Sequence, residues 1–292
     1  MNMDIPIYCL GDYFKAFNKP CLAFNIETLD HQLPYDPKIV HRHDYYQILV
    51  LEEGGGEQRI EFDTYQLKAP CVSVLFPRQF HQLSLSPDSK GSIIMFDNAL
   101  FCSAVLKKEL SAYTVDLQKR LNYISFEDKS FEEIGVICTS IWSLYENLTI
   151  LKKEQIKFYI KILLLNLVDA SQTRVPSRKE TEEADLYLNF RELVEEQFKH
   201  NRTVALYAEQ LNVSPKKLTA MCQRYTGEAA LDVIHERILL EIKRMLVFYD
   251  YSNKEIAYEL GFDSPSALNK FIAAKMNCSP SELKFRLSHI YK

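Results

Sequence analysis

The stretch 256–272, IAYELGFDSPSALNKFI, decides how this chain folds, because residues 204–222, VALYAEQLNVSPKKLTAMC, follow the same pattern. In each copy a short apolar segment leads to a Ser-Pro pair, and further apolar residues follow the pair at helical spacing. The pairs begin at Ser214 and Ser264, which are 50 positions apart (264 minus 214). The pattern therefore predicts two copies of one structural unit.

Each copy predicts a helix, a tight turn and a second helix. Ser252 and Glu255 have the three-residue spacing of a capping box, which starts the first helix of the second copy. Gly261 ends that helix and Asn212 takes the comparable place in the first copy, since both residues tolerate the left-handed conformation. The Ser of each pair supplies an N-cap oxygen, and the Pro fills the first helical position. This is the helix-turn-helix pattern, whose second helix enters a DNA major groove.

The segment between the copies is predicted to be one connecting helix. Residues Ala230 to Tyr249 carry apolar side chains at helical spacing and contain no Pro or Gly. At about 1.5 Å per residue, such a helix spans roughly 30 Å. Successive major grooves on one face of B-DNA lie about 34 Å apart. A rigid spacer of this length can present two recognition helices to adjacent turns of the duplex.

A longer set of residues carries a resemblance to a known family. The set comprises Ala208, Leu211, Ser214, Pro215, Leu218, Thr226-Gly227, Lys243-Arg244-Met245-Leu246, Ile256-Ala257-Tyr258-Glu259-Leu260-Gly261-Phe262, Ser264 and Ser279-Pro280. With these residues, 203–286 resembles the DNA-binding domain of the AraC/XylS family of bacterial transcription regulators. The resemblance implies sequence-specific control of transcription at a double-stranded DNA operator, and contact with RNA polymerase if the protein is an activator.

The outward face of each second helix supplies the candidate DNA contacts. Leu218 and Met221 are expected to face the core, which leaves the opposite side of the first such helix outward. The candidates are Lys216, Lys217, Thr219, Ala220, Gln223, Arg224, Pro265, Ser266, Asn269 and Lys270. Lysine in the first turn suits a guanine edge or a phosphate, and Asn269 suits paired hydrogen bonds with adenine. The resembled family commonly has Arg where Ala220 stands and an aromatic residue where Cys222 and Ile272 stand.

Composition fits two folded domains. The chain has 292 residues, of which 47% are hydrophobic and 25% charged, which argues against disorder. The net charge of −4 is uneven, because residues 203–292 hold 12 Lys/Arg against 10 Asp/Glu and the remainder holds 23 against 29. With so little excess charge, non-specific DNA affinity should be modest and sensitive to salt.

Cysteine usage and the amino-terminal segment predict a cytoplasmic protein. The seven cysteines are scattered, odd in number and without a CxxC pair, so neither a zinc ribbon nor a disulfide framework is expected. The first residues lack the basic and apolar regions of a secretory leader. The apolar run Ile162–Leu165 is far too short to cross a bilayer, so no membrane association is expected.

Residues 1–130 are predicted to be mainly strands and turns. Four short runs rich in Ile, Val, Leu and Phe are separated by Gly and Pro, at Gln47–Leu51, Gln58–Phe62, Cys71–Phe76 and Ser92–Phe96. This spacing indicates an antiparallel sandwich or barrel. The fold class expected for the whole chain is α+β: a cupin-like antiparallel β-barrel with a helical dimerisation segment, then an all-α double helix-turn-helix domain.

Three histidines flank the predicted strands. His41 and His43 precede the first strand and His81 follows Phe76-Pro77, an arrangement that resembles the cupin-type sensory domain of many AraC-family members. Gln47 stands where a metal-binding cupin usually has Glu. The resemblance implies a small-molecule effector, and barrel mouths are common ligand sites. The candidate effector-binding residues are His41, His43, Tyr45, Tyr46 and His81.

These histidines admit two interpretations. They could converge on a metal ion, since neutral imidazole suits several transition ions. Alternatively they are hydrogen-bonded residues at the mouth of an effector pocket, or simply structural. We favour the second interpretation because the set lacks a carboxylate, and so expect no metal, no cofactor and no catalytic residue.

Two helices are expected between the strands and the DNA-binding domain. Phe131, Ile134, Cys138, Ile141, Tyr145 and Leu148 form one apolar stripe, and Ile156, Ile160, Leu163 and Leu167 form another. One possibility is that both stripes pack on the protein's own strands. The other, which we favour, is that one stripe packs on the strands and another pairs with a second chain in a homodimer. The expected boundaries are 1–130 for the sensory domain, 131–170 for the dimerisation segment, 171–183 for a linker and 184–292 for the DNA-binding domain.

Together these features predict a homodimeric, effector-responsive transcription regulator. Two alternatives remain: a metal-binding cupin enzyme fused to a DNA-binding module, and a regulator controlled by a protein partner through the apolar helices.

Overall fold

The computed structural model describes residues 5–18, 22–30, 33–97, 117–171, 178–226, 228–249 and 251–290. Ile5–Val175 forms one compact unit, and Pro176–Lys292 belongs to a second. The division falls inside the predicted linker, of which residues 172–177 lie outside the described part of the chain.

The amino-terminal unit holds ten strands and four helices among its described residues. The strands are β1 (Ile7–Tyr8), β2 (Phe24–Thr28), β3 (Arg42–His43), β4 (Tyr46–Glu53), β5 (Gly55–Ile60), β6 (Asp63–Lys68), β7 (Cys71–Leu75), β8 (His81–Leu85), β9 (Lys90–Phe96) and β10 (Ile124–Ser125). The helices are α1 (Leu10–Ala16), α2 (Leu117–Leu121), α3 (Asp128–Tyr145) and α4 (Ile150–Ala170).

Most of these strands form two antiparallel sheets. One has the order β10-β7-β4-β9-β2 and the other the order β6-β5-β8, while β1 and β3 pair in parallel. The four predicted strands correspond to β4, β5, β7 and β9, which confirms a β-rich amino-terminal unit. The structure ends β5 at Ile60, because Glu61 has a positive φ of 54° and turns the chain into β6.

The five-stranded sheet is buried on both faces. Successive side chains of a strand point to opposite faces, so Tyr46, Ile48 and Val50 of β4 join a core with helices α3 and α4. Leu49 and Leu51 point the other way and share a second core with residues of the three-stranded sheet. The strands of this sheet are therefore apolar on both faces.

Helices α3 and α4 place both predicted apolar stripes against the protein itself. Ile134, Cys138 and Ile141 of α3, and Ile160 and Leu163 of α4, are buried in the core shared with the five-stranded sheet. Thr149 caps α4 by accepting a hydrogen bond from the backbone N–H of Lys152. The expectation that one of these two stripes would pair with a second chain is wrong, because both stripes lie in the core that α3 and α4 share with each other and with the sheet.

The carboxy-terminal unit consists of helices throughout its described residues. They are α5 (Arg178–Gln197), α6 (Val204–Gln210), α7 (Pro215–Thr226), α8 (Ala230–Val247), α9 (Asn253–Glu259), α10 (Pro265–Met276) and α11 (Pro280–Ser288). Helix α5 begins at Arg178, so residues 178–183 belong to a helix and not to the predicted linker. Helix formers such as Lys179 and Glu180 extend the helix before its apolar stripe starts.

The caps that the sequence predicts are present in this unit. Ser252 and Glu255 form a capping box at the start of α9. Ser264 accepts from the backbone N–H of Ala267 at 3.2 Å, and Ser214 accepts from that of Lys217 at the same distance. Asn212 has a positive φ of 53° and Gly261 one of 67°, as expected for the turns of the two units.

The described part of the chain contains no helix long and apolar enough to span a membrane. Cys9, Cys71, Cys138, Cys222 and Cys278 are free, and Cys21 and Cys102 lie outside the described residues.

Candidate nucleic-acid interface and ligand cleft

In each helix-turn-helix unit, one face of the second helix is buried in a hydrophobic core. In α7 the side chains of Leu218, Met221 and Cys222 are buried, and in α10 those of Leu268 and Ile272 are buried. Ala208 and Ala257, on α6 and α9, are also fully buried, so the two helices of each unit cross closely. At 3.6 residues per turn, these contacts fix the opposite faces of α7 and α10 toward solvent.

The structure exposes nearly all the candidate contact residues. On α7, Lys216, Lys217, Ala220, Gln223 and Arg224 are exposed and Thr219 is half-buried.

On α10, Ser266, Asn269 and Lys270 are exposed, while Pro265 at the helix start is half-buried. Among the described residues, Lys216, Lys217 and Lys270 form no ion pair, whereas Lys275 at the end of α10 pairs with Asp232 at 2.8 Å. Lys216, Lys217 and Lys270 are therefore available to an anionic partner.

The connecting helix α8 is 18 residues long, so at about 1.5 Å per residue it spans roughly 27 Å. Its apolar face is buried along most of its length, including Ile234, Ile238 and Ile242. Arg237 lies over the ring of Phe198 at 3.9 Å and forms ion pairs with Glu195 and Glu241. These contacts hold α8 against α5 at its middle.

A second connection between the two helix-turn-helix units was not predicted. Lys199, just after α5, forms an ion pair with Glu259 of α9 at 2.5 Å. The Arg202 guanidinium lies 3.7 Å from the centre of the Phe262 ring and donates to the Leu260 carbonyl. A Cβ on Gly261 would lie 2.7 Å from the Lys199 carbonyl oxygen, so this turn packs directly on residues 199–202. Contacts between residues about 60 positions apart leave no local signal in the sequence.

The amino-terminal unit contains a cleft of about 580 Å³ lined by β8, by Ile93 of β9, by Leu29 just after β2 and by the segment 33–38. Its lining is Leu29, Leu33, Pro34, Tyr35, Asp36, Pro37, Lys38, Leu83, Leu85 and Ile93. The segment 33–38 covers one side, and it is held by a hydrogen bond from the Leu83 N–H to the Pro37 carbonyl at 2.8 Å. None of the five predicted effector residues lines this cleft.

The structure brings four of those five residues together beside the cleft. His41, His43 and His81 form a buried group, and the Tyr45 ring stacks on His43 with centroids 4.3 Å apart. The Tyr35 hydroxyl connects the group to the cleft, because it lies 3.1 Å from His43 Nε2 and 3.3 Å from the Tyr45 hydroxyl.

Tyr46 does not join this group. Tyr46 begins β4 and lies in the core shared with α3 and α4, where it stacks on Phe96 with centroids 4.9 Å apart, whereas Tyr45, just before the strand, lies in the other core. The prediction that Tyr46 shares a pocket with the histidines is wrong for this reason.

Burial keeps the three histidines neutral at ordinary pH. It lowers the pKa of His41 to about 4 and places the pKa values of His43 and His81 well below the usual range of histidine. Proximity to the neighbouring imidazoles lowers the pKa of His43 and His81 further.

Two family models match the sequence. The AraC-like ligand binding domain matches residues 24–211, and the helix-turn-helix domain matches residues 207–286. The first of these covers more than half of the chain. A search of curated proteins found no match.

Several solved structures are similar to this chain at low sequence identity. ToxT from Vibrio cholerae is 14% identical, with a TM-score of 0.39 over 91% of this chain and 100% of that one. A structure of the same protein with unsaturated fatty acid bound is 16% identical, with a TM-score of 0.35 over 91% and 96%. The C-terminal domain of AraT, a response regulator from Geobacillus stearothermophilus, is 22% identical, with a TM-score of 0.33 over 35% and 84%.

Proposed function

Because the chain belongs to the AraC family of transcription regulators, we propose that its two helix-turn-helix units bind one operator together. In this proposal α7 and α10 enter successive major grooves on the same face of the duplex. The observation that carries it is that both recognition helices expose polar faces from one unit, joined by α8 and by the contacts of residues 199–202. No catalytic role is proposed for any residue.

Individual contacts follow from position on the recognition helices. Lys216 and Lys217 stand in the first turn of α7, where they reach a guanine edge or a phosphate. Thr219 reaches a base edge and Arg224 a phosphate. Asn269 on α10 pairs with adenine through two hydrogen bonds.

The direct test of this function is selection of binding sites from random duplex DNA with the full-length protein. We expect an enriched motif with two blocks whose centres are about 10 base pairs apart, one for each recognition helix. Enrichment of a single block, or of no sequence at all, would contradict the proposal.

We assign the effector to the cleft lined by β8, β9 and the segment 33–38. Its volume of about 580 Å³ suits a small molecule, since ligand pockets commonly measure about 300–1,000 Å³. Most of its lining residues have apolar side chains, but polar atoms form as much of its exposed wall as apolar atoms do, and Lys38 and Asp36 are its charged residues. The effector is therefore proposed to be a small molecule with both apolar and polar groups, whose binding shifts the population of DNA-competent chains.

A bulky side chain in the cleft should block this effector. We expect Leu85→Trp to abolish the rise in melting temperature that the effector gives, while the variant still binds DNA, because Leu85 is only half-buried and lies far from α7 and α10 in the sequence. The effector is first recovered by mass spectrometry from the purified wild-type protein. An unchanged thermal shift in the variant would place the effector elsewhere.

A different face of α4 is proposed as the homodimer surface. Leu151, Phe158 and Ile162 are 75%, 66% and 45% exposed, and their spacing of seven and four residues puts them on one side of the helix. The face that packs on the sheet is separate from this one. Exposed apolar side chains in a row on one helix are typical of pairing with another helix. If the dimer activates transcription, it also contacts RNA polymerase.

Phe158→Asp should convert the dimer to a monomer, because it places a carboxylate in the centre of the proposed apolar seam. Sedimentation velocity at micromolar concentration measures the change. The matched control is Phe285→Asp, which alters an equally exposed aromatic side chain (67%) in the carboxy-terminal unit and should leave the dimer intact. A wild-type chain that sediments as a monomer, or a dimer that survives Phe158→Asp, would contradict the assignment.

A further inference from the structure

The rings of His41, His43 and His81 converge on one buried point. One nitrogen from each ring lies within 4.8 Å of the other two, and all three side chains are buried. The ring centroids of His41 and His81 are 4.1 Å apart, and those of His43 and His81 are 4.5 Å apart. Three buried imidazoles from β3, its preceding bridge and β8 thus point into one small volume.

The protonation state of His41 is fixed by its backbone neighbour. Its Nδ1 lies 2.7 Å from the Ile39 carbonyl oxygen, which can only accept, so Nδ1 carries the proton. The lone pair is therefore on Nε2, which is buried and receives no hydrogen bond from any described residue. A backbone carbonyl that orients an imidazole in this way is the usual support of a histidine metal ligand.

The other two histidines have the spacing of ligands on one metal. His43 Nε2 and His81 Nε2 are 3.3 Å apart. Two nitrogens bound tetrahedrally to zinc at about 2.0 Å are separated by about 3.3 Å. Without an ion, one of these two Nε2 atoms carries a proton and donates it to the other. When both rings instead carry their protons on Nδ1, which has no partner among the described residues, the two Nε2 lone pairs face one point and can bind a cation there.

Against the expectation from sequence that these histidines bind no metal, we propose that His41, His43 and His81 bind one divalent transition-metal ion of the zinc class. Neutral imidazoles without a carboxylate suit zinc, nickel or copper and not calcium or magnesium. The Tyr35 hydroxyl, 3.1 Å from His43 Nε2, is placed as the fourth donor.

The ion would fasten one wall of the ligand cleft. Tyr35 and Asp36 line the cleft, and His81 begins β8, which supplies the opposing Leu83 and Leu85. Binding therefore ties the segment 35–43 to the sheet edge against which the effector is proposed to lie. The metal site itself does not depend on the effector assignment or on DNA binding.

The experiment uses full-length protein stripped with EDTA, dialysed, and titrated with cobalt chloride and then zinc chloride. We expect one cobalt per chain with the intense visible absorption of a tetrahedral site, displaced by one equivalent of zinc. We expect zinc binding to weaken at least about tenfold in each of His41→Asn, His43→Asn and His81→Asn. Loss of a residue that only orients a metal ligand already costs about tenfold or more, and these variants lose a ligand itself. His289→Asn, which alters an exposed histidine of the carboxy-terminal unit, should bind as the wild type does.

The cobalt spectrum of the wild-type protein tests the proposal without any variant, so it still gives an answer if a histidine variant fails to fold. Tyr35→Phe, which keeps the ring and removes only the hydroxyl, should alter that spectrum. Absence of a tetrahedral cobalt band in the wild-type chain, or zinc affinity that is the same in the folded histidine variants, would overturn the proposal.

Discussion

Insertion of five base pairs between the two blocks of the selected operator should weaken specific binding by about 2–6 kcal/mol. Five base pairs rotate the second block by half a helical turn, which turns its major groove away from α10. The second helix-turn-helix unit cannot rotate with its block, because α8 packs on α5 through Arg237 and residues 199–202 pack on the turn at Gly261. Loss of about two base contacts, each worth about 1–3 kcal/mol, gives this estimate. Fluorescence anisotropy at one fixed salt concentration measures the dissociation constants.

Two further operators distinguish a rigid pair of units from a flexible one. Insertion of ten base pairs puts both blocks back on the same face of the duplex. It also moves the major groove of the second block a full turn away, about 34 Å further along the duplex. A spacer of roughly 27 Å cannot reach it, so affinity should stay low. Five base pairs inserted outside both blocks should have no effect. If the ten-base-pair operator binds as tightly as the original, the two blocks are read by units that move independently.

Removal of Lys217 and Asn269 together should lower specific affinity by about 2–6 kcal/mol. Each residue is exposed on its recognition helix and is proposed to contact a base, at about 1–3 kcal/mol per contact. The residues stand on separate helices, so the effects of Lys217→Ala and Asn269→Ala should add. Titration of all three variants against the selected operator and against a scrambled duplex measures both affinity and specificity.

The matched control for charge is Lys254→Ala. Lys254 is an exposed lysine of α9, outside both recognition helices, so its loss should leave specificity unchanged. The salt dependence separates the two kinds of contact: a lost phosphate contact lowers the slope by about one, whereas a lost base contact relaxes specificity at one position. If neither Lys217→Ala nor Asn269→Ala changes affinity, the assigned faces of α7 and α10 are not the reading faces.

The helix-turn-helix units were predictable because short-range chemistry defines them. Ser214, Ser252 and Ser264 cap helices through hydrogen bonds that span three residues, and Asn212 and Gly261 end helices through their own backbone conformations. Such signals are contained within a few positions of sequence. Their predicted locations were confirmed for this reason.

Strands β2 and β6 were missed because the prediction relied on runs rich in Ile, Val, Leu and Phe, whereas these two strands alternate apolar and polar residues. In β2, Asn25 and Glu27 are buried and polar, and Asn25 is satisfied by the Glu27 carboxylate and by the Tyr145 hydroxyl. Strand β6 lies at the edge of its sheet and most of its residues are exposed. Asp63–Lys68 is therefore largely polar in sequence, which does not distinguish it from a loop. In both strands, pairing with a neighbour determines the structure.

The ligand cleft was beyond sequence reasoning because distant segments form it. The sequence directed attention to His41, His43 and His81, which do lie together. Nothing local indicated that Tyr35 would link them to a cleft lined by Leu83 and Leu85. Burial of both predicted stripes of α3 and α4 likewise depends on a sheet whose full extent the sequence did not show.

One chain is proposed to place two recognition helices in adjacent major grooves. Dimethyl sulfate interference on the selected operator measures this placement, since guanine N7 lies in the major groove. We expect two clusters of interfering guanines about 10 base pairs apart, on the same face of the duplex. A single cluster, two clusters on opposite faces, or equal binding to random duplexes would contradict it.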